Sequence, residues 1–235
     1  MKTALVLFNS ALVSALTTCC TGVDPESPNI IFILADDLGF GDTGPYGQAR
    51  IETPNIDRMA ENGMRFTRHY SGSAVSAPSR CVLLTGMHTG HSQVRGNDEW
   101  AERGEVWNYR AMLADSTLEG QRPLESGTVT IAALMKANGY ATGAVGKWGL
   151  GAPHTEGIPN KQGFDFFFGY NCQRHAHNLY PRYLVDNRQQ RMLEGNTDGV
   201  TGQCYAPQQI ADEMLAFVRE NRDRPFFVYY PTVIP

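Results

Sequence analysis

A near-continuous apolar run that ends in two carboxylates constrains this chain more than any other feature. Ile30, Ile31, Phe32, Ile33 and Leu34 lead into Ala35, Asp36, Asp37, Leu38 and Gly39. Without polar alternation, such a run reads as a buried, parallel strand. In open α/β sheets ligands gather where strands end, and Asp36 and Asp37 fall at that edge. Adjacent carboxylates repel unless a cation lies between them, which favours a metal site over a solvated turn before Gly39.

The run Gly143-Ala144-Val145-Gly146-Lys147-Trp148-Gly149-Leu150-Gly151 repeats the arrangement. Helix-like residues 131–138 precede it, closed by Gly139 as a C-terminal cap, so Lys147 also sits at a strand end. A lysine there is either an ordinary surface residue or a compact cation facing an anion. Thr53-Pro54 opens another helix that Gly63 ends, with Ile56, Met59 and Ala60 on its inner face. Ile210, Met214, Phe217 and Val218 mark an amphipathic helix, and residues 225–230 a strand. This alternation predicts an α/β fold. With 42% apolar residues the 235-residue chain can bury a substantial core. Its net charge of −4 and lack of a basic stripe exclude nucleic acid as a partner.

Between these two strands lies Ser76-Ala77-Pro78-Ser79-Arg80-Cys81-Val82-Leu83-Leu84-Thr85-Gly86. As a bare pattern it is a Ser/Pro turn leading into an apolar helix. It also resembles the signature of the sulfatase family, within the alkaline-phosphatase superfamily, in which the first Cys or Ser of the run is oxidised to formylglycine. The resemblance extends over residues 29–235. It implies an alkaline-phosphatase-like, mixed and largely parallel sheet flanked by helices, and the hydrolysis of sulfate esters on sulfated carbohydrates. A hydrated aldehyde suits that chemistry: one hydroxyl attacks sulfur, and deprotonation of the second expels sulfate. A plain serine would stay sulfated.

Residue by residue, the resemblance implies formylglycine at Ser76, calcium bound by Asp36, Asp37 and residue 76, Arg80 holding the diol, and Lys147 on the sulfate oxygens. Pro78 and Arg80 match what the modifying enzyme reads before folding. A serine at position 76 implies a radical-type maturating enzyme, and so an anaerobic or facultative bacterium. Many sulfatases read Gly-Lys-Trp-His-Leu-Gly around the lysine; this chain has Gly149 where that histidine stands. His175 and His177, in Gln173-Arg174-His175-Ala176-His177-Asn178, would face one side of an extended segment and reach one pocket, as substrate-binding groups or with His175 as the acid. Scaffold histidines and a zinc site near Cys172 are the alternatives. Residues 94–123 read as a long insertion over the site mouth, with Trp100, Trp107 and Tyr109 either stacking on sugar or anchoring the loop.

The amino terminus reads as an export signal over residues 1–20, with Lys2 before an apolar stretch and Cys19 placed for lipidation, followed by a tether at 21–28. The expected product is a periplasmic or cell-surface lipoprotein that meets the membrane only through that lipid. Cys81, Cys172 and Cys204 leave an odd number of thiols and no disulfide scaffold. Residues 29–235 are expected to be the N-terminal portion of a catalytic domain, incomplete at the C-terminus, with further metal ligands beyond position 235. Calcium needs roughly six to eight oxygens, more than Asp36, Asp37 and residue 76 supply. A sheet edge left apolar is a further expectation. Two other functions stand open: a non-catalytic surface lipoprotein, and a phosphatase or phosphodiesterase of the same superfamily that uses Ser76 unmodified.

Overall fold

The computed structural model describes residues 27–98, 109–115 and 118–235. The export segment with Cys19, most of the tether, Trp100 and Trp107 lie outside the described residues. Strands β1 (Ile30–Leu34), β2 (Ala141–Lys147), β3 (Phe166–Tyr170), β4 (Tyr183–Asp186), β5 (Gln189–Met192) and β6 (Phe226–Pro231) form a sheet in the order β1-β6-β2-β3-β4-β5. The first four are mutually parallel, while β4 and β5 add an antiparallel hairpin at one end. This is the mixed, largely parallel sheet expected. All four parallel strands end on one edge, and that edge gathers Asp36 and Lys147.

Helices α1 (Pro54–Asn62), α2 (Ser76–Thr85), α3 (Tyr109–Ala114), α4 (Ile131–Ala137) and α5 (Ala206–Glu220) surround the sheet. Because side chains alternate along a strand, β6 feeds two cores. Phe227 and Tyr229 join Ala77, Cys81 and Leu84 of α2 with Trp148 and Phe164, whereas Phe226 and Val228 join Ile210 and Phe217 of α5. Phe164 stacks on Phe227 and Tyr229 at 6.2 and 6.3 Å between ring centres. Each such buried aromatic contributes about 1.5–3 kcal/mol by leaving water. Gly146 and Gly169 face each other in register across β2 and β3, with no room between them for a side chain at 169. A Cβ at Gly146 would lie 1.9 Å from the Pro231 carbonyl oxygen, and its φ of 135° is one that side chains avoid.

Three expectations are corrected. β1 is parallel but lies at the sheet edge, so Ile31 and Ile33 are half exposed while Phe32 packs on Tyr229. It pairs with a neighbour on one side, and nothing among the described residues covers its outer face. α1 has the expected bounds, yet Ile56 and Met59 are exposed. It is held from its polar side, where Gly44 N–H donates to Thr53 Oγ1 at 2.8 Å and that hydroxyl donates to Asp57 at 2.9 Å. The described parts of 94–123 lie only partly on the surface: Val94, Met112, Glu119 and Gln121 are buried, while Arg95, Arg110 and Arg122 are exposed. Cys81, Cys172 and Cys204 are free thiols. No helix among the described residues is long and apolar enough to cross a membrane.

Candidate active site

Ser76 opens α2 and is placed by how that helix starts and stops. Pro78 sits in the first turn, where its missing N–H leaves no bond unmade. Gly86, at φ 67°, ends the helix by donating its N–H to the Val82 carbonyl at 2.8 Å. Val75, just before the helix, has no side chain able to cap it. Asn97 does so from 20 residues away, its Oδ1 accepting the Ala77 N–H at 2.8 Å. Ser76 therefore sits at the partially positive end of a helix whose first turn is fixed from outside.

One turn later Arg80 projects from the same helical face. It is 2% exposed, and its fork is used at both tips. Nη1 donates to the Lys147 carbonyl at 2.7 Å and Nη2 to Asp36 Oδ1 at 3.0 Å. Lys147 Nζ donates to Asp36 Oδ2 at 2.7 Å and reaches Ser76 Oγ at 3.5 Å. Ser76 Oγ in turn donates to Asp36 Oδ1 at 3.3 Å. Residues from the ends of β1 and β2 and the start of α2 thus converge on one carboxylate. Burial raises the Asp36 pKa, but the hydrogen bond and charge of Lys147, then those of Arg80, outweigh it and hold the group below the ordinary carboxylate value. Burial lowers the Lys147 pKa, with Asp36 pulling the other way. The Tyr229 hydroxyl, fully buried beside Arg80, is raised by its burial and stays neutral.

Asp37 is exposed and adopts φ 59°, a left-handed conformation uncommon outside glycine and frequent at functional sites. With Asp36, Ser76 and Arg80 it lines a cleft of about 240 Å³. No group of three or more His, Cys, Asp or Glu side chains among the described residues could enclose a metal. Asp36, Asp37 and residue 76 nevertheless fit one side of a hard-cation site, offering only oxygens into an open cleft.

His175 and His177 are not on an extended segment. They belong to a single 3-10 turn, His175–His177, whose threefold periodicity sends residues two apart in different directions. His175 is fully buried between Tyr170 and Tyr183, with Nδ1 3.8 Å from Glu119. His177 is exposed and lines a separate cavity with Arg174, Asn178 and Tyr180. The two do not share a pocket. The side chain that packs against Gly149 is Gln173, whose Nε2 would lie 1.9 Å from a Cβ at that position.

Asn97 and Tyr229 are residues at the site that sequence reasoning missed. Asn97 lies in a Gly-Asn-Asp stretch that reads as an ordinary loop, and Tyr229 in a strand that reads as core.

The Sulfatase family model matches residues 28–235. Human arylsulfatase A is 35% identical over 224 residues, covering 86% of this chain and 40% of that protein. The N-acetylgalactosamine-6-sulfatase of Rattus norvegicus is 34% identical over 229 residues, covering 93% and 41%. The N-acetylgalactosamine-6-O-sulfatase of Bacteroides thetaiotaomicron is 40% identical over 156 residues, covering 63% and 27%. A solved structure from work on glycosaminoglycan metabolism by Bacteroides thetaiotaomicron superposes with a TM-score of 0.67 and 26% identity, covering 88% of this chain and 51% of that one. A complex of Ps i-CgsB with k-i-k-neocarrahexaose superposes with a TM-score of 0.66 and 28% identity, covering 88% and 45%. The chain thus spans less than half the length of these curated relatives.

Proposed function

Because the chain belongs to the sulfatase family, we propose that it carries the nucleophile and anion-binding groups of an enzyme that hydrolyses sulfate esters on carbohydrates. The observation that carries this reading is the convergence of Asp36, Ser76, Arg80 and Lys147, with every link between 2.7 and 3.5 Å. Relatives named as N-acetylgalactosamine sulfatases and a neighbour bound to a neocarrahexaose support a sulfated sugar as substrate.

Residue 76, oxidised to formylglycine and hydrated, offers a hydroxyl whose oxygen bonds to sulfur as the bond from sulfur to the sugar oxygen breaks. The sugar alcohol leaves with a proton. The second hydroxyl then loses its proton, the C=O bond reforms, and sulfate is expelled. Arg80, locked at both tips, holds the oxygens of residue 76 in one orientation. Lys147 meets the negative charge growing on the sulfate oxygens, and its burial strengthens that interaction. Asp36, Asp37 and residue 76 would hold calcium, which would neutralise the oxyanion charge. His177, exposed beside Arg174, suits contact with the sugar, and His175 supports that segment from within. A radical-type maturase supplies the oxidation, and a leader with Cys19 as lipid acceptor carries the protein out of the cytoplasm.

Mass spectrometry of the peptide spanning residue 76 tests the reading. Matured protein should show the loss of two hydrogens or its hydrate, and chelation of calcium should abolish turnover reversibly. Unmodified serine in a protein that cleaves phosphate esters would point to the phosphatase alternative.

A further inference from the structure

Beside the turn between β4 and β5 lies a cavity of about 460 Å³ that shares no lining residue with the Asp36 cleft. Its volume falls in the range of about 300–1,000 Å³ found for small-molecule sites. Ile158 and Pro159, both buried, and Val185 of β4 give it an apolar lining. Asn171 also lines it, 2% exposed, with an Oδ1 that has no hydrogen-bond partner among the described residues. The Asn171 carbonyl is taken by the Gly149 N–H at 3.1 Å, so the backbone is fixed and the carboxamide is left to the cavity. A buried acceptor without a partner is costly, and one that lines a cavity is completed by a donor from outside the chain. Glu119, fully buried in the same lining, accepts the Tyr183 hydroxyl at 2.7 Å and has lone pairs for a further donor.

At the surface the same cavity presents a cation. Arg188 is exposed, and no hydrogen bond or ion pair among the described residues engages it. Arg191, three positions on, is by contrast held by Glu213 at 2.5 Å and Asp186 at 3.7 Å. The turn that carries Arg188 is pinned to β3. Asn187 N–H donates to the Phe167 carbonyl at 2.7 Å, and Asn187 Oδ1 accepts the Phe167 N–H and Asn160 Nδ2, each at 3.0 Å. A guanidinium on a fixed base matches the paired oxygens of a sulfate or a carboxylate.

The cavity therefore calls for donors at its buried end and an anion at its mouth, with apolar surface between. A purely anionic ligand would be repelled by Glu119, and a purely apolar one would leave Asn171 uncompleted. A pyranose ring with one anionic substituent satisfies all three regions. We propose that this cavity is a second glycan-binding site, which takes an anionic sugar unit with hydroxyls donating to Asn171 and Glu119 and its sulfate or carboxylate on Arg188. The choice of a sugar rests on the sulfate-ester reading above, but the sugar unit bound here is not the one being hydrolysed.

Arg188→Ala and Gln190→Trp, both at exposed positions of the lining, remove the cation and obstruct the mouth. Asn171→Leu removes the buried acceptor. Binding of a sulfated carrageenan tetrasaccharide and of its desulfated, neutral counterpart is measured by calorimetry on the intact protein with Ser76 unmodified, so that nothing is turned over. Turnover of 4-nitrophenyl sulfate by the matured protein reports separately on the Asp36 cleft. Arg188→Ala should bind the sulfated tetrasaccharide about tenfold more weakly and the neutral one unchanged, whereas Gln190→Trp and Asn171→Leu should weaken both. Turnover of the small ester should match the wild type in Arg188→Ala and Gln190→Trp. Unchanged binding of the sulfated tetrasaccharide in those two variants would overturn the site. Equal weakening of the neutral sugar by Arg188→Ala would overturn its anionic specificity, and a parallel loss of small-ester turnover would place Arg188 in the hydrolytic site and overturn a second one. Matured wild-type protein that fails to turn over the ester, yet binds the sulfated tetrasaccharide through Arg188, would sink the sulfatase reading and leave this site standing.

Discussion

Two neighbouring stretches of one sheet edge obey opposite rules. Around Asp36 the charged groups are engaged, namely both carboxylate oxygens, both tips of the Arg80 fork, the Lys147 ammonium and the Ser76 hydroxyl, while Arg80 Nε and the Tyr229 hydroxyl have no partner among the described residues. A few residues away, the Gln173 amide is buried with no hydrogen-bond partner among the described residues. A saturated cluster keeps its geometry without ligand, because every charge already has a partner. Damage to the first stretch should therefore register in stability and chemistry together, whereas removing the Gln173 amide breaks no side-chain hydrogen bond seen among the described residues.

The largest effect is expected from Lys147→Ala. Turnover should fall about a thousandfold, as when a single oxyanion donor is removed, with a melting temperature lowered as well because Asp36 keeps only Arg80 in a buried site. A thousandfold loss matched by wholesale unfolding would show that Lys147 is structural. Next comes Arg80→Ala, which leaves Asp36 half-paired in a buried site and should cost about 3–5 kcal/mol in denaturant unfolding. Arg80→Lys should fail nearly as badly, since an ammonium cannot bridge the Lys147 carbonyl and Asp36 at once. Asn97→Ala removes the remote cap of α2 and should cost about 1 kcal/mol, with turnover reduced because Ser76 is no longer fixed. Asp165→Asn should have the smallest effect, and one that depends on pH. Partial burial raises the Asp165 pKa, but hydrogen bonds from Lys136 and then Thr142 bring it below 3.8. Its folded pKa is therefore depressed, and its contribution is present above 3.8 and fades as pH falls below that value. Melting curves of the two proteins should differ near neutrality and converge in acid.

Which of these groups could be foreseen depended on what kind of order places them. Asp36 and Lys147 were legible because a buried strand declares its end, and charge at that end is conspicuous. Ser76 and Arg80 were legible because one short helix carries both. Asn97 was not, because a cap delivered from 20 residues away leaves no local pattern. The histidines were misplaced because a 3-10 turn and an extended segment look alike over three polar residues. Periodicity gave α1 its correct bounds but could not say whether anything covers Ile56 and Met59. The same limit applies to β1, where an unbroken apolar run was read as two-sided burial and only one side is covered.

The position of β6 has a consequence for the order of assembly. β1 is not hydrogen-bonded to β2; among the described strands it pairs only with β6, and Thr232 N–H donates to the Leu34 carbonyl at 2.9 Å across 198 positions of chain. Contacts of such long range form late, because a large loop must close first. During synthesis, Asp36 therefore waits for nearly two hundred further residues before it can meet Lys147. Throughout that interval Ser76 is not yet locked under Asp36, and the cluster closes only when β6 pairs with β1.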